Sequence, residues 1–399
     1  MDEQVVTIEK MVYGGKGLAR LNGQVVFVPF TLPGEKVRIH ITKQHRDYLE
    51  GEVVEVIEPS QSRIAPACRY FGRCGGCQIS HASYDHQVQT KVSVLKETLE
   101  RNKVTFPEPE VISGTPYEYR HRAQLKYSSR KGQLGFYQTG SNQITDIKEC
   151  LCLTPGLNRL LTHLRNELLA TPIPNLSEIE LYENDVGQTA AYFNAKIPSE
   201  LRERLSNITT VAATDDPDEL RLTLRFRNSE FPMHPSIFLQ VNPGLWKAMI
   251  QEVESHFNNK ASSVVAELYC GAGFFTIAIA PHVSKIYASE ENRKAVEFAK
   301  AQHKNPNISW IQARAEEYKI PNDVTAILVD PPRSGLHKNV INELLRRKPE
   351  MITYVSCDPA SFARDVRLLG SDYKIDRLLL MDLFAQTYHF ETIALLHRK

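Results

Sequence analysis

Three of the seven cysteines in this chain fall within ten residues, as Cys68, Cys74 and Cys77, in a loop that also holds Gly72, Gly75 and Gly76. Clustered thiols in a glycine-rich loop are metal ligands by type. Thiolates bind soft metals, and glycine lets the backbone curl around the bound group and turn its N–H bonds toward sulfur. With a fourth thiolate the set suits either a [4Fe–4S] cluster or a structural zinc. Cys150 is the fourth ligand expected, with Cys152 two residues on as the alternative. The spacing differs from that of radical enzymes using S-adenosylmethionine, so radical chemistry is not expected.

A different thiol chemistry attaches to Ser356-Cys357-Asp358-Pro359, which follows the apolar run Ile352 to Val355. A cysteine at a strand tip before a turn is open to a crevice. One use for it is covalent catalysis, in which a thiolate adds to C6 of a uracil and C5, otherwise a poor nucleophile, can then attack a methyl donor; the alternative is a structural cysteine. A free thiol has a pKa of about 8.5 and needs a local field to ionise. Asp358 opposes that ionisation unless its carboxylate points away. The C5 proton must then be removed, and Gln386-Thr387-Tyr388-His389-Phe390-Glu391 offers His389 and Glu391; a carboxylate in a closed pocket can be tuned for this work, so Glu391 is preferred.

The donor needs a site as well. Glu267-Leu268-Tyr269-Cys270-Gly271-Ala272-Gly273 follows an apolar strand and leads toward a helix over Phe274 to Ala280. A Gly-x-Gly turn admits a nucleoside-bearing cofactor close to the backbone. Glu290, at the end of the strand Ile286 to Ala288, can accept hydrogen bonds from ribose hydroxyls. The third glycine of a dinucleotide fingerprint is absent, which favours S-adenosylmethionine over NAD. Asp330-Pro331-Pro332-Arg333 comes straight after Ala326 to Val329, at the strand edge where open α/β sheets bind ligands. Its variants in amino-group methyltransferases have an aromatic residue where Arg333 stands.

These residues need scaffolds. After Phe231, apolar runs alternate with helical segments (Ser263–Tyr269, Ile286–Ala288, Ile308–Ile311, Ala326–Val329, Met351–Val355), which predicts βα units and a parallel sheet. Residues 1–58 read as about five short strands with turns at Gly14-Gly15, Asn22-Gly23 and Pro33-Gly34, suited to a small closed barrel of the oligonucleotide-binding type. Residues 59–230 read as a β-rich central domain carrying the cysteine loop. Pro59 to Pro66 is a linker. A helix N-capped by Asp85 has its apolar face at Val88, Val92, Leu95 and Leu99, and strands at Ala123–Tyr127, Ile179–Tyr182, Ala190–Phe193 and Leu220–Phe226 flank a helix over Leu157–Leu169. The fold class expected is multidomain α/β, ending in a Rossmann-like catalytic domain over 231–399.

The chain has 399 residues, 42% hydrophobic and 24% charged, an ordinary globular composition. No run reaches the ~18 apolar residues of a membrane span. The start, Met1-Asp2-Glu3-Gln4, lacks a signal-peptide layout, so a reducing cytoplasm and ligated cysteines are expected in place of disulfides. A net charge of +1 gives no general support to nucleic-acid binding. Locally, Arg120, Arg122, Lys126, Arg130 and Lys131 are interleaved with Tyr117, Tyr119 and Tyr127, a stripe that either meets RNA or forms a solvated strand edge.

Taken together, the motifs resemble the RNA (uracil-5-)-methyltransferase family, in its iron–sulfur branch with an N-terminal TRAM domain, which methylates 23S ribosomal RNA. Gly14-Gly15-Lys16-Gly17 and Pro33-Gly34-Glu35 resemble the TRAM module, Tyr119-Arg120-His121-Arg122-Ala123-Gln124 the family's central motif, and Phe238-Leu239-Gln240-Val241-Asn242 the segment opening a class I methyltransferase domain. The resemblance implies that Gln240, Tyr269, Glu290 and Asp330 bind S-adenosylmethionine, that Cys357 is the nucleophile and Glu391 the proton acceptor. It also implies a [4Fe–4S] cluster on Cys68, Cys74, Cys77 and Cys150, structural or RNA-contacting. The chain departs at Asp358, where many members have asparagine, and at Ala385, where proline is usual. The implied function is methylation of uracil C5 in RNA, most directly 23S rRNA, with RNA as partner, no membrane and no obligate protein partner. The rivals are the same chemistry on the TΨC-loop uridine of tRNA, an exocyclic-amine methyltransferase that would not need Cys357, and a non-enzymatic RNA-binding or ribosome-assembly protein.

Overall fold

The computed structural model describes residues 3–216, 220 and 222–399. The N-terminal module is a six-stranded sheet in the spatial order Gln4–Thr7, Lys36–Gln44, Tyr48–Glu58, Gln24–Pro29, Lys16–Leu21, Lys10–Val12. Neighbours run antiparallel except Gln24–Pro29 beside Tyr48–Glu58. The alternation of Lys36 to Ile41 turns Val37, Ile39 and Ile41 into a core with Val6, Ala19, Val26, Val28 and Leu49. The strand beyond the expected five, Lys10–Val12, is too short to carry a readable alternation. Met1 and Asp2 lie outside the described residues.

The segment after the barrel is clamped down and is no free spacer. The Arg63 guanidinium donates to the fully buried Glu35 carboxylate (Nη2 to Oε2, 2.7 Å) and to the Phe30 carbonyl (2.9 Å). Ser83, not Asp85, stands at the N-cap position of the helix Tyr84–Arg101, without a side-chain capping bond; Asp85 lies in its first turn, where a negative charge suits the helix dipole. Its inward face differs from the expected one too. Gln87, Thr90, Lys91, Val94, Leu95 and Leu99 are buried, while Val88 and Val92 are only half-buried.

A second six-stranded sheet follows, ordered Ile144–Asp146, Gln133–Tyr137, Arg122–Ser128, Glu178–Glu183, Thr189–Phe193, Thr210–Ala213, and backed by the helix Pro155–Ala170. The expected strand Leu220–Phe226 is realised as Thr223–Phe226, and residue 221 lies outside the described residues. The basic stripe is not a free RNA-facing surface. Arg122 pairs with Glu180 and Lys126 with Glu178 across the next strand. Tyr119 and Tyr127 are buried, and only Arg130 and Lys131 are fully exposed.

The catalytic sheet has eight strands in the order Ile308–Gln312, Lys285–Glu290, Val264–Leu268, Ala326–Val329, Met351–Ser356, Glu391–Arg398, Tyr373–Asp382, Glu110–Ser113. The first five run parallel, and the three central ones, Val264–Leu268, Ala326–Val329 and Met351–Ser356, are buried on both faces. Glu391–Arg398 returns antiparallel between its two neighbours. The helix expected over Phe274–Ala280 is one turn, Thr276–Ile279, followed by a 3-10 turn at Ala280–His282 where Pro281 ends it. Two elements of the 59–230 stretch join this body: Glu110–Ser113 is its eighth strand, and Val94, Leu95 and Leu99 share a core with Ile352, Phe362 and Leu380. A four-residue strand carries no local sign of which sheet it will enter.

Candidate active site

Four site residues sit at the carboxyl edge of the parallel strands because each directly follows or ends one: Tyr269 after Leu268, Glu290 closing Lys285–Glu290, Asp330 after Val329, and Cys357 after Ser356. Glu391 reaches the same edge from the opposite direction. Ser356 pairs with Thr392 in the antiparallel register, so the next residue on one strand and the preceding residue on the other, Cys357 and Glu391, face a common crevice. A cavity of about 460 Å³ there is lined by Gln240, Tyr269, Glu290, Asp330, Cys357 and Glu391, with Phe238 and Arg333. A second cavity of about 580 Å³ adjoins it, sharing Tyr269, Glu290, Glu291 and Pro332.

The turn that opens the crevice is tightly built. Tyr269 has φ +64°, a left-handed conformation unusual outside glycine. Gly273 has φ +88°, and a Cβ there would lie 2.5 Å from the Trp310 ring, so no side chain fits. The Glu290 carboxylate accepts the Gly271 N–H at 3.0 Å and the Asn292 N–H at 2.8 Å, which fixes the acid beside the turn. Gln240 Oε1 and Glu391 Oε2 are buried without a protein partner. An unpaired buried oxygen costs about 1–3 kcal/mol, and at a crevice it marks where a ligand completes the hydrogen bonding.

Acids dominate the field. Burial pushes Asp330 up to about 7, with Glu290 adding to it, and Glu267 behind it up to about 8. Burial and then Asp330 hold Glu391 well above the usual carboxylate range, against the pull of Arg333. Burial also pushes the Cys357 thiol up to about 12; Glu391 and Asp330 add to the shift and Arg333 opposes it. Asp358 contributes least, because Oδ1 turns away to accept the Ser361 N–H at 2.8 Å and caps the helix Pro359–Leu369. Crowded acids with Arg333 as their cation favour a positively charged ligand. His389, the other candidate base, does not line the crevice, and burial and nearby cations push its pKa down to about 4.

The cysteine loop makes a separate site. Cys68, Cys74, Cys77 and Cys150 come together around a cavity of about 60 Å³, and Cys152 joins them. None is in a disulfide. Cys77 Sγ lies 3.9 Å from Cys152 Sγ, and the Gly76 N–H donates to Cys74 Sγ at 3.4 Å. The Cys152 thiol draws the pKa of Cys77 and Cys150 down, helped by the Arg120 guanidinium, whereas burial pushes Cys74 up to about 11. Among the described residues no three His, Cys, Asp or Glu side chains are arranged to hold a metal ion as they stand.

Four residues to which the motifs gave no site role take part, Phe238 and Arg333 from within quoted motifs and Lys91 and Tyr13 from outside them. Phe238, 64% exposed, stands at the crevice mouth. Arg333 supplies the opposing charge. Lys91, buried on helix Tyr84–Arg101, donates to Asp382 Oδ1 at 2.7 Å and to the Phe384 carbonyl at 3.1 Å, which braces the segment before Glu391. Tyr13 reaches over from the barrel, its hydroxyl 3.3 Å from the Cys357 carbonyl. An exposed aromatic in a half-polar run was a readable signal for Phe238, and the departure after Asp330-Pro331-Pro332 was one for Arg333; Lys91 and Tyr13 had none.

Residues 206–399 match the family model for tRNA (Uracil-5-)-methyltransferase, and residues 2–54 match the TRAM domain. An uncharacterized RNA methyltransferase of Aquifex aeolicus is 33% identical, over 99% of this chain and 98% of its own. The 23S rRNA (uracil(1939)-C(5))-methyltransferase RlmD of Marinomonas sp. is 31% identical, over 99% of this chain and 95% of that protein, and the Enterobacter protein of the same name is 32% identical, over 98% and 96%. Among solved structures, the Pyrococcus abyssi tRNA (uracil-54, C5)-methyltransferase, in complex with S-adenosyl-L-homocysteine, superposes with a TM-score of 0.76. It covers 98% of this chain and 100% of its own at 23% identity, a likeness of fold.

Proposed function

The chain belongs to the RNA (uracil-5-)-methyltransferase family, and on that footing we propose that it transfers a methyl group from S-adenosylmethionine to C5 of a uracil in 23S ribosomal RNA. The observation that carries this reading is the antiparallel register that sets Cys357 and Glu391 side by side on one crevice. In this assignment Gln240, Tyr269, Glu290 and Asp330 hold the cofactor, which supplies an electrophilic methyl group on a positively charged sulfur. The acid-rich crevice and the unpartnered Gln240 oxygen support that fit.

The target base must leave its stack to be reached, and Phe238 offers an aromatic face for it at the crevice mouth. Cys357, as thiolate, adds to C6 and moves the ring's electron pair into an enolate, so C5 becomes the nucleophile and takes the methyl group. Glu391, as carboxylate, then removes the C5 proton; the freed pair re-forms the C5–C6 double bond and Cys357 leaves. Burial and the neighbouring acids disfavour ionisation of both groups in the crevice described, so the positive charge that accompanies the cofactor favours the ionised pair the chemistry needs.

Cys68, Cys74, Cys77 and Cys150 are assigned to a [4Fe–4S] cluster in this reading. Five unpaired thiols around one cavity support it, as does Arg120. A guanidinium held among thiols requires a negative charge beside it, and cluster-bound thiolates supply one. Iron and sulfide analysis of protein purified without oxygen tests it. The barrel over 1–58 would grip flanking single-stranded RNA. No helix among the described residues is long and apolar enough to cross a membrane, and open thiols belong to a reducing cytoplasm.

The substrate is tested by nucleoside mass spectrometry of 23S rRNA and tRNA, purified separately from cells with and without the gene. Loss of 5-methyluridine from 23S rRNA alone is expected; loss from tRNA alone would keep the mechanism and overturn the substrate.

A further inference from the structure

The turn Tyr13-Gly14-Gly15 of the barrel lies directly on the catalytic segment. Gly15 has φ +77°, and a Cβ there would stand 2.9 Å from Gln78 Cβ and 3.6 Å from Tyr388 Cβ, so the backbone itself is the contact surface. The Tyr13 ring meets those of Tyr388, His389 and Phe390 edge-on, with centroids 5.1, 6.3 and 6.2 Å away. Its hydroxyl is 3.3 Å from the Cys357 carbonyl and 3.5 Å from His389 Nδ1, and His389 Nε2 is 3.5 Å from Arg333 Nη2.

Only one placement of protons satisfies all three contacts. The Cys357 carbonyl can only accept, so the Tyr13 hydroxyl donates to it. Tyr13 oxygen then accepts the proton on His389 Nδ1, and His389 Nε2 keeps its lone pair for Arg333, which can only donate. A protonated His389 would point a second N–H at the guanidinium; burial and Arg333, with Arg120 and Lys91 behind it, keep the ring neutral against Asp358. The distances are at the long end, as is common before substrate tightens a site.

We propose that Tyr13 of the N-terminal barrel is a positioning residue for methyl transfer: its hydroxyl fixes the His389 tautomer that holds Arg333 toward the Cys357 thiol. Arg333 is the cation that favours the thiolate, while Glu391, Asp330 and Asp358 oppose it from the neighbouring strands and loops. Tyr13 itself carries no charge, since burial and Asp358 drive its ionisation upward, so it works through hydrogen bonds. The inference rests on the covalent reading of Cys357.

The test is the rate of covalent adduct formation on 5-fluorouridine RNA as a function of pH. It is measured for the unaltered protein, Tyr13→Phe, His389→Ala, the double variant and Cys357→Ala. Tyr13→Phe keeps the ring contacts and loses only the hydroxyl. It should slow the adduct roughly tenfold near neutral pH, with the rise of rate with pH displaced upward by about one unit. RNA and S-adenosylmethionine affinities should be unchanged, and the double variant no slower than His389→Ala alone, because both act on one chain. If the unaltered protein forms the adduct and Tyr13→Phe matches it at every pH, the positioning role is overturned and the covalent reading stands. A slowing equal at every pH, with weakened RNA binding, would reduce Tyr13 to barrel docking and also overturn it. No adduct on the unaltered protein, or an equal adduct on Cys357→Ala, would overturn the covalent reading itself.

Discussion

The cavity of Cys68, Cys74, Cys77, Cys150 and Cys152 and the crevice of Cys357 are both partly enclosed thiol sites, but their surroundings differ in sign. In the first, Arg120 stands among the sulfurs, and Cys77 and Cys150 are drawn toward thiolate by the thiol of Cys152 and by that cation, whereas burial pushes Cys68 and Cys74 the other way. In the second, burial holds a single sulfur toward the protonated form, Glu391 and Asp330 add to it, and Arg333 pulls the other way. A permanent ligand is best stabilised as an anion at rest. A nucleophile that must leave again at the end of each cycle is better kept neutral until its substrate and the accompanying positive charge are in place. Residue type alone does not distinguish the two tasks; the neighbouring charges do.

Replacement of the crevice thiol gives the largest effect. Cys357→Ala should lower kcat by about 10⁴-fold or more while RNA binding persists, checked by methyl transfer and filter binding; the loss expected of a sole covalent nucleophile is of that order. Glu391→Gln comes next, with kcat down by about 10²–10⁴-fold and methylated RNA left attached to the enzyme, seen as a retarded band on denaturing gels. Glu391 is also the largest charge holding the thiol up, so the adduct on this variant should form at lower pH than on the parent.

The same variant carries a stability signature. The folded-state pKa of Glu391 is raised, so its contribution is fully present below the ordinary carboxylate range and is lost as pH rises through the folded value. Glu391→Gln should therefore be at least as stable as the parent at neutral pH, in urea unfolding, and lose its advantage in acid. Lys91→Met should cost about 3–5 kcal/mol by the same measurement, because it strands Asp382, which is fully buried. The smallest change belongs to Asp358→Asn. Asparagine caps a helix as well as aspartate does, so stability should shift by a few tenths of a kcal/mol and the adduct should form slightly faster.

The contrast between the two thiol sites also separates what the sequence reveals from what it hides. Tyr269, Glu290, Asp330 and Cys357 were readable because each stands at the end of a short apolar run, and such runs become parallel strands whose ends share an edge. That Glu391 faces Cys357 was not readable, since it depends on the register of a returning antiparallel strand. Lys91 and Gln87 broke the apolar pattern of their helix because their partners, Asp382 and Gln386, lie some three hundred residues on. The basic stripe misled for the same reason: Glu178 and Glu180, which neutralise Lys126 and Arg122, arrive on the adjacent strand. Local runs fix elements, whereas charge balance is decided between elements.

The central claim is that one thiol attacks RNA and the others never do. Its most direct test is peptide mass spectrometry of the enzyme after reaction with 5-fluorouridine RNA and S-adenosylmethionine, locating the cysteine that carries the nucleotide. The account predicts the nucleotide on Cys357 alone, with Cys68, Cys74, Cys77, Cys150 and Cys152 unmodified. A nucleotide on any cysteine of the cavity, or none on Cys357 in an enzyme that still methylates RNA, would contradict it.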